Sequence, residues 1–130
     1  DHFENPAVLE ILPEYNLRIC QELKETDITV YLTGGEYYKK LDCFLGSYAE
    51  RFIASMNATS VFFSCKGLSQ DGLLTDVSET EIAIRQAMLA HAENSYLLCD
   101  SSKVGQKYAF TLCHAKDLTD ILCDKKLSSF

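Results

Sequence analysis

The sequence predicts an α/β fold, a mostly parallel sheet flanked by helices, and three observations carry that prediction. β-prone apolar runs alternate with helical patterns from one end to the other. Several of those runs are short, near-continuous and apolar on both faces, as strands covered on both sides are. Glycine or polar turns close most of them, and right-handed crossovers then bring the loops that follow the strands to one edge. The 130 residues suit one domain, residues 1–130, since no Pro/Gly/Ser-rich linker, charge block or internal repeat divides them.

The elements follow in order. Ala7-Val8-Leu9-Glu10-Ile11-Leu12 is a β-compatible run stopped by Pro13. Asn16 suits the cap of a helix reaching Lys24, with Leu17, Cys20 and Leu23 at spacings of three. Ile28 to Leu32 is dense in β-branched residues and runs into Thr33-Gly34-Gly35, a buried strand and a sharp turn. From Gly46 to Met56, Tyr48, Ala49, Phe52, Ile53 and Met56 form the stripe of an amphipathic helix. Ser60 to Ser64 is the next strand, closed by Lys66-Gly67, and a polar stretch with Gly72 follows. Glu79 to Ala92 is the clearest helix; Tyr96 to Cys99 is a strand ended by Asp100-Ser101-Ser102-Lys103. Tyr108 to Cys113 reads as a short strand, Asp117 to Asp120 as a turn or short helix, and Ile121 to Cys123 as the last strand.

Composition narrows the function classes. Hydrophobic residues at 47% and charged residues at 24% describe a globular chain that can bury a core. A net charge of −7 argues against a nucleic-acid surface, which needs clustered Lys and Arg. No apolar run approaches the roughly 20 residues that span a bilayer, and no signal-peptide pattern opens the chain, so it is read as cytoplasmic. A start at Asp1 without Met reads as a fragment of something longer. Cys20, Cys43, Cys65, Cys99, Cys113 and Cys123 stand singly, most within apolar runs, and are expected as free, buried thiols. Asn57-Ala58-Thr59 matches a glycosylation sequon, which is idle without a secretory route. His2, His91 and His114 share no metal spacing, and neither a cofactor nor a metal is expected.

Chemistry-bearing residues cluster in the loops of the predicted ligand edge. Gly34-Gly35 either admits a ligand close to bare backbone N–H groups or is a plain tight turn. Ser78-x-x-Glu81 fits a capping box, and Glu81 also stands four residues before Arg85. The functional alternative points Thr75, Asp76 and Glu81 at the hydroxyls of a polyol. Lys103, at the end of Asp100-Ser101-Ser102-Lys103, suits a phosphate or carboxylate, and Lys66 is a similar case. Local turns made by Asp and Ser explain the same loop structurally. Glu36-Tyr37-Tyr38-Lys39-Lys40 reads as a flexible lid or a subunit contact.

From about Leu17 to Lys126 the chain resembles the C-terminal effector-sensing domain of the DeoR family of bacterial transcription regulators. The matching pieces come in the family's order: Tyr31-Leu32-Thr33-Gly34-Gly35-Glu36; Phe44-Leu45-Gly46 with Ala49; and Phe62 to Ser69, which reads F-F-S-C-K-G-L-S. Then follow Gly72-Leu73-Leu74-Thr75-Asp76, Glu81 with Arg85-Gln86-Ala87-Met88, Leu97 to Gly105 around D-S-S-K, and Asp120 to Asp124.

The resemblance implies a Rossmann-like fold similar to ribose-5-phosphate isomerase-type folds. It implies a non-enzymatic domain that binds a phosphorylated sugar or similar small anionic metabolite, assembles as a homo-oligomer, and controls operator binding by a separate N-terminal winged helix-turn-helix. DNA is then a partner only through that other domain. Carried over by position, the effector contacts are Gly34, Gly35, Lys66, Gly67, Thr75, Asp76, Glu81 and Lys103, with Asp100 in support. Two departures stand out. The family's phosphate-binding stretch on its first strand–helix turn lies upstream of Asp1, and Pro13-Glu14-Tyr15-Asn16-Leu17 stands where the family usually carries Thr-Asn-Ser. Two other readings compete: a phosphosugar isomerase using Glu81 and Lys103, and an interaction module that has lost its ligand.

Overall fold

The computed structural model describes residues 16–40 and 43–127. In chain order these hold α1 (Asn16–Leu23), β1 (Glu36–Tyr38), β2 (Cys43–Leu45), α2 (Ser47–Ala54), β3 (Ala58–Phe63), β4 (Gly67–Leu68) and β5 (Leu73–Asp76). They continue with α3 (Glu79–Ala90), β6 (Ala92–Cys99), β7 (Phe110–His114) and β8 (Asp120–Cys123), with single 3-10 turns at Ser101–Lys103 and Ala115–Asp117. The fold is α/β. No helix among the described residues is long and apolar enough to cross a membrane.

The central sheet has the order β3-β6-β8 and is parallel throughout. Phe63 pairs with Leu97, Leu97 with Ile121, and Cys99 with Cys123. All three strands therefore end on the same edge. Side chains alternate faces along a strand, so Val61, Phe63, Leu97 and Cys99 share the buried face. Ile53 of α2 and Met88 of α3 close on that face beside Val61. The opposite face carries the stacked rings of Phe62 and Tyr96, centroids 5.2 Å apart.

A second sheet, β4-β5-β7, is antiparallel and lies beyond the end of β3. Its first hairpin turns at residues 69–72, where the Ser69 hydroxyl donates to Asp71 and accepts the Leu73 N–H at 3.0 Å. The sequence shows this stretch only as polar, because its strands are two and four residues long. Leu68 and Leu74, both fully buried, join Phe63, Leu45, Ile84 and Leu97 in one core. Burying such a side chain contributes about 1.5–3 kcal/mol.

Most predicted elements stand within a few residues of their expected ends. α2 begins at Ser47 because Gly46, at φ +95°, takes a backbone conformation that closes the preceding strand. β6 starts at Ala92, so its first residues replace the predicted end of α3. The segment from Glu36 to Lys40 is half of a hairpin, with Tyr37 of β1 opposite Phe44 of β2 and their rings 5.4 Å apart. The predicted strand Ala7–Leu12 lies outside the described residues. Ile28 to Leu32 corrects an expectation: it is not a strand and is not buried. Ile28, Tyr31 and Leu32 are 48%, 50% and 42% exposed. β-propensity makes a strand only where a neighbour takes up its backbone groups, and no described strand lies beside this run.

Candidate functional site

The ends of β3, β6 and β8 make a rim. The chain leaves β3 through Ser64-Cys65-Lys66, leaves β6 through Asp100 and its 3-10 turn, and leaves β8 at Asp124. Asp124 Oδ1 accepts the Ser101 N–H at 2.7 Å, tying the loop after β8 to the loop after β6. Asp100 caps its own turn, accepting the Ser102 N–H at 3.0 Å and the Ser102 hydroxyl. The Ser102 hydroxyl, with smaller help from the Ser102 N–H and Lys103, holds the Asp100 carboxyl below the usual Asp range. Lys66 is exposed and Lys103 half-buried.

Beneath this rim lies a buried charged cluster built by the β5–α3 junction. Thr75 and Asp76 end β5 fully buried, and α3 opens with Ser78 accepting the Glu81 N–H at 3.3 Å. That is the first half of the expected capping box. The Glu81 carboxylate is directed instead at Arg85, Oε1 to Nη1 3.8 Å, one helical turn on. Asp76 Oδ2 stands 4.0 Å from the same Nη1, and its Oδ1 accepts the Val77 N–H at 2.7 Å. Glu81 and Arg85 are each 4% exposed. Nη1 of Arg85 donates no hydrogen bond among the described residues. Charges so deep are kept only when paired.

Cys65 links the cluster to the rim. Burial pushes its thiol up to about 11, while Arg85, Asp76 and Lys103 all act on it electrostatically. Lys66-Gly67, Asp76, Arg85 and Lys103 thus lie near one strand end, with Glu81 joined to them through Arg85. Several of these residues also carry the fold. The Thr75 hydroxyl accepts the Tyr108 N–H at 2.9 Å. A Cβ on Gly67 would stand 2.6 Å from the Gln106 carbonyl oxygen. Gly34 and Gly35 adopt φ +65° and +104°. Gly35 packs against β2 and α2, a Cβ there meeting the Leu45 carbonyl oxygen at 2.9 Å.

The sequence shows two participants only in part. Arg85 is legible in the sequence as a partner of Glu81 at a spacing of four and as part of the family match, but its approach to Asp76 exists only once β5 meets α3. Tyr108 reads in the sequence only as the start of a short strand, which in the structure begins at Phe110. Among the described residues no group of three or more His, Cys, Asp or Glu is arranged to hold a metal ion. His114 is occupied by the fold: Nδ1 accepts the Lys116 N–H at 3.0 Å, which leaves Nε2 to donate to the Asp71 carbonyl at 2.8 Å. An open groove of about 590 Å³ runs along β8 and touches the rim through Cys123 and Asp124. The rim thus carries the ammonium groups of Lys66 and Lys103, while the carboxylates below it are buried against Arg85.

Comparison with known proteins agrees with this reading of the fold. The family model described as the DeoR C terminal sensor domain matches residues 14–125. The chain is 30% identical over 124 residues to the lactose phosphotransferase system repressor of Staphylococcus epidermidis, covering 95% of this chain and 48% of that protein. It is 27% identical over 124 residues to the repressor of the same name in Staphylococcus aureus, again covering 95% and 48%. The L-fucose operon activator of Haemophilus influenzae is 26% identical over 105 residues, covering 81% of this chain and 42% of that protein. The chain spans about half the length of the curated relatives it matches. With the match running from α1 past β8, through the rim and the buried cluster, the chain belongs to the DeoR C-terminal sensor domain family.

Proposed function

We propose that this domain binds a phosphorylated sugar or a similar small anionic metabolite and relays that event to operator binding in a cytoplasmic, homo-oligomeric transcription regulator. Lys66 and Lys103 take the phosphate, with the backbone of the Gly34-Gly35 turn in support, and Gly67 lets the strap at Gln106 and Tyr108 lie close beside Lys66. Thr75, Asp76 and Glu81 shape the sugar side from below, Thr75 by holding the strap at Tyr108 and the two carboxylates by holding Arg85, and Asp100 sets the Lys103 turn. DNA is contacted by a separate winged helix-turn-helix. The observation that carries this reading is the buried Asp76–Arg85–Glu81 cluster directly under a rim that bears two lysines. The relatives' names support the sugar-responsive part, since they belong to a lactose phosphotransferase system and an L-fucose operon. They are named as repressors and an activator, which favours sensing over isomerase chemistry. Relay requires that the ligand bind one conformation or assembly more tightly than another.

A thermal-shift panel of glucose 6-phosphate, fructose 6-phosphate, ribose 5-phosphate and inorganic phosphate tests the proposal. At least one sugar phosphate raises the melting temperature; a ligand at 100 times its Kd adds about 2.7 kcal/mol. Lys103→Ala reduces that shift and leaves the ligand-free melting temperature unchanged. A panel that moves nothing overturns the sensor reading in favour of an interaction module. Steady aldose–ketose conversion that disappears in Glu81→Ala overturns it in favour of an isomerase.

A further inference from the structure

Three of the six cysteines meet at the rim, on strand ends that the sensor reading leaves unused. Cys99 ends β6 and Cys123 ends β8, and the two are direct partners in the parallel register. Directly opposed residues on neighbouring strands stand about 4.8 Å apart, inside the roughly 4.4–6.8 Å between Cα atoms that a disulfide needs. Both side chains share one face, because Leu97 and Ile121, two residues back, are partners as well. Cys123 and Cys65 both act on Cys99 electrostatically, while the Cys99 thiol donates to the Asp100 carbonyl at 3.2 Å and the Cys123 thiol to Asp124 Oδ1 at 3.5 Å. Cys99 is 8% exposed, whereas Cys123 is half-buried and opens onto the groove along β8.

We propose that Cys99 and Cys123 are a peroxide-oxidisable dithiol that closes to an intramolecular disulfide across β6 and β8. Cys123, the accessible member, reacts first. Its sulfur attacks one peroxide oxygen, the O–O bond breaks, and a sulfenic acid and one water result. The Cys99 thiol then attacks that sulfur, the S–S bond forms, and the second water leaves. Two thiols lose two electrons and two protons, and one peroxide gains them. Burial, with the neighbouring thiols, holds Cys99 up at about 12. It is therefore a poor first nucleophile, and its proximity to Cys123 suits it to the resolving step. The bond locks the two strand ends whose following loops already meet at Ser101 and Asp124.

The test uses the native chain, hydrogen peroxide and no sugar phosphate, so its outcome is independent of the sensor reading. After oxidation, alkylation of the remaining thiols and peptide mapping, the expected product is a Cys99–Cys123 cross-link, two hydrogens lighter and reversed by dithiothreitol. Closing a loop of this length raises the melting temperature by about 5 °C or more. Cys99→Ser stops oxidation at an accumulating Cys123 sulfenic acid, trapped by dimedone. Cys113→Ser leaves the cross-link unchanged. Mapping in the unmutated chain decides the matter even where a variant fails to fold. Recovery of Cys123 as sulfinic acid with Cys99 still reduced overturns the proposal. So does cross-linking through Cys20 or Cys65, or an unoxidised pair at peroxide levels that oxidise exposed thiols.

Discussion

The hydroxyl of Thr75 accepts the backbone N–H of Tyr108 at 2.9 Å, across 33 residues of chain. Thr75 is fully buried in β5, and Tyr108 sits in the strap that leaves the Lys103 turn and crosses Gly67. One side chain thus fixes how the loop after β6 lies over the second sheet. Thr75→Val keeps the branched shape and removes the acceptor, stranding the Tyr108 N–H. The expected cost is about 1–3 kcal/mol. Thr75→Ser retains the hydroxyl and loses less. Urea denaturation of both variants checks the order, and faster amide exchange at Tyr108 in the Val variant locates the effect.

Gly67 makes the same crossing from the other side. A methyl group there meets the Gln106 carbonyl oxygen at 2.6 Å and the Tyr108 ring at 2.9 Å. The first neighbour is backbone and cannot rotate away, so the strap itself must move. Gly67→Ala therefore destabilises by about 1–3 kcal/mol, as overpacking does, although its own backbone is not in the left-handed region that only glycine favours. Thermal melts of the Ala variant measure the loss. A variant as stable as the parent would mean the strap yields freely and does not frame the rim.

The alternation of apolar runs and helical stripes was enough to read the parallel sheet. Val61, Phe63 and Leu97 fall at period-two positions in unmistakable runs, and Ile53 and Met88 fall on helical stripes. The rim is legible in part: the loops Ser64 to Gly67 and Asp100 to Lys103 leave parallel strands at one edge, whereas the sequence puts Gly34-Gly35 there through a strand at Ile28 to Leu32 that does not form. The antiparallel sheet was hidden because β4 has two residues and its pairing depends on a turn at Gly72. Ile28 to Leu32 misled because β-propensity is local, whereas pairing needs a neighbour. In the site, Glu81 and Arg85 were legible as a spacing of four. Asp76 joins them through a strand-to-helix packing that no spacing encodes.

Arg85 is expected to be the most sensitive polar position in the chain. Its guanidinium lies between the Asp76 and Glu81 carboxylates, and all three side chains are at most 5% exposed. Arg85→Met deletes the cation and leaves two buried acids facing each other, a loss of about 3–5 kcal/mol. Replacing the whole group as Arg85→Met, Asp76→Asn and Glu81→Gln removes the uncompensated charge and recovers part of that loss. Equilibrium denaturation of the single and triple variants gives the comparison. A triple variant weaker than the single one would show that the cluster is held by directional hydrogen bonds more than by charge balance.

Asp100 gives the rim a pH dependence whose sign follows from its carboxyl being held below the usual Asp range, first by the Ser102 hydroxyl and then by the Ser102 N–H and Lys103. A carboxyl whose folded pKa is depressed binds protons more readily when unfolded. Its contribution to stability is therefore complete above the unfolded value near 3.8 and is lost as pH falls through the lower folded value. Asp100→Asn keeps an oxygen that can cap the Ser101–Lys103 turn but cannot titrate. The stability difference between parent and variant is expected to be level from pH 7 down to about 5, to shrink from there, and to vanish in strong acid. Carboxyl carbon shifts recorded against pH give the Asp100 midpoint directly. A midpoint at or above the ordinary Asp value would mean that Ser102 and Lys103 do not hold the charged form, and that Lys103 is not positioned by this turn.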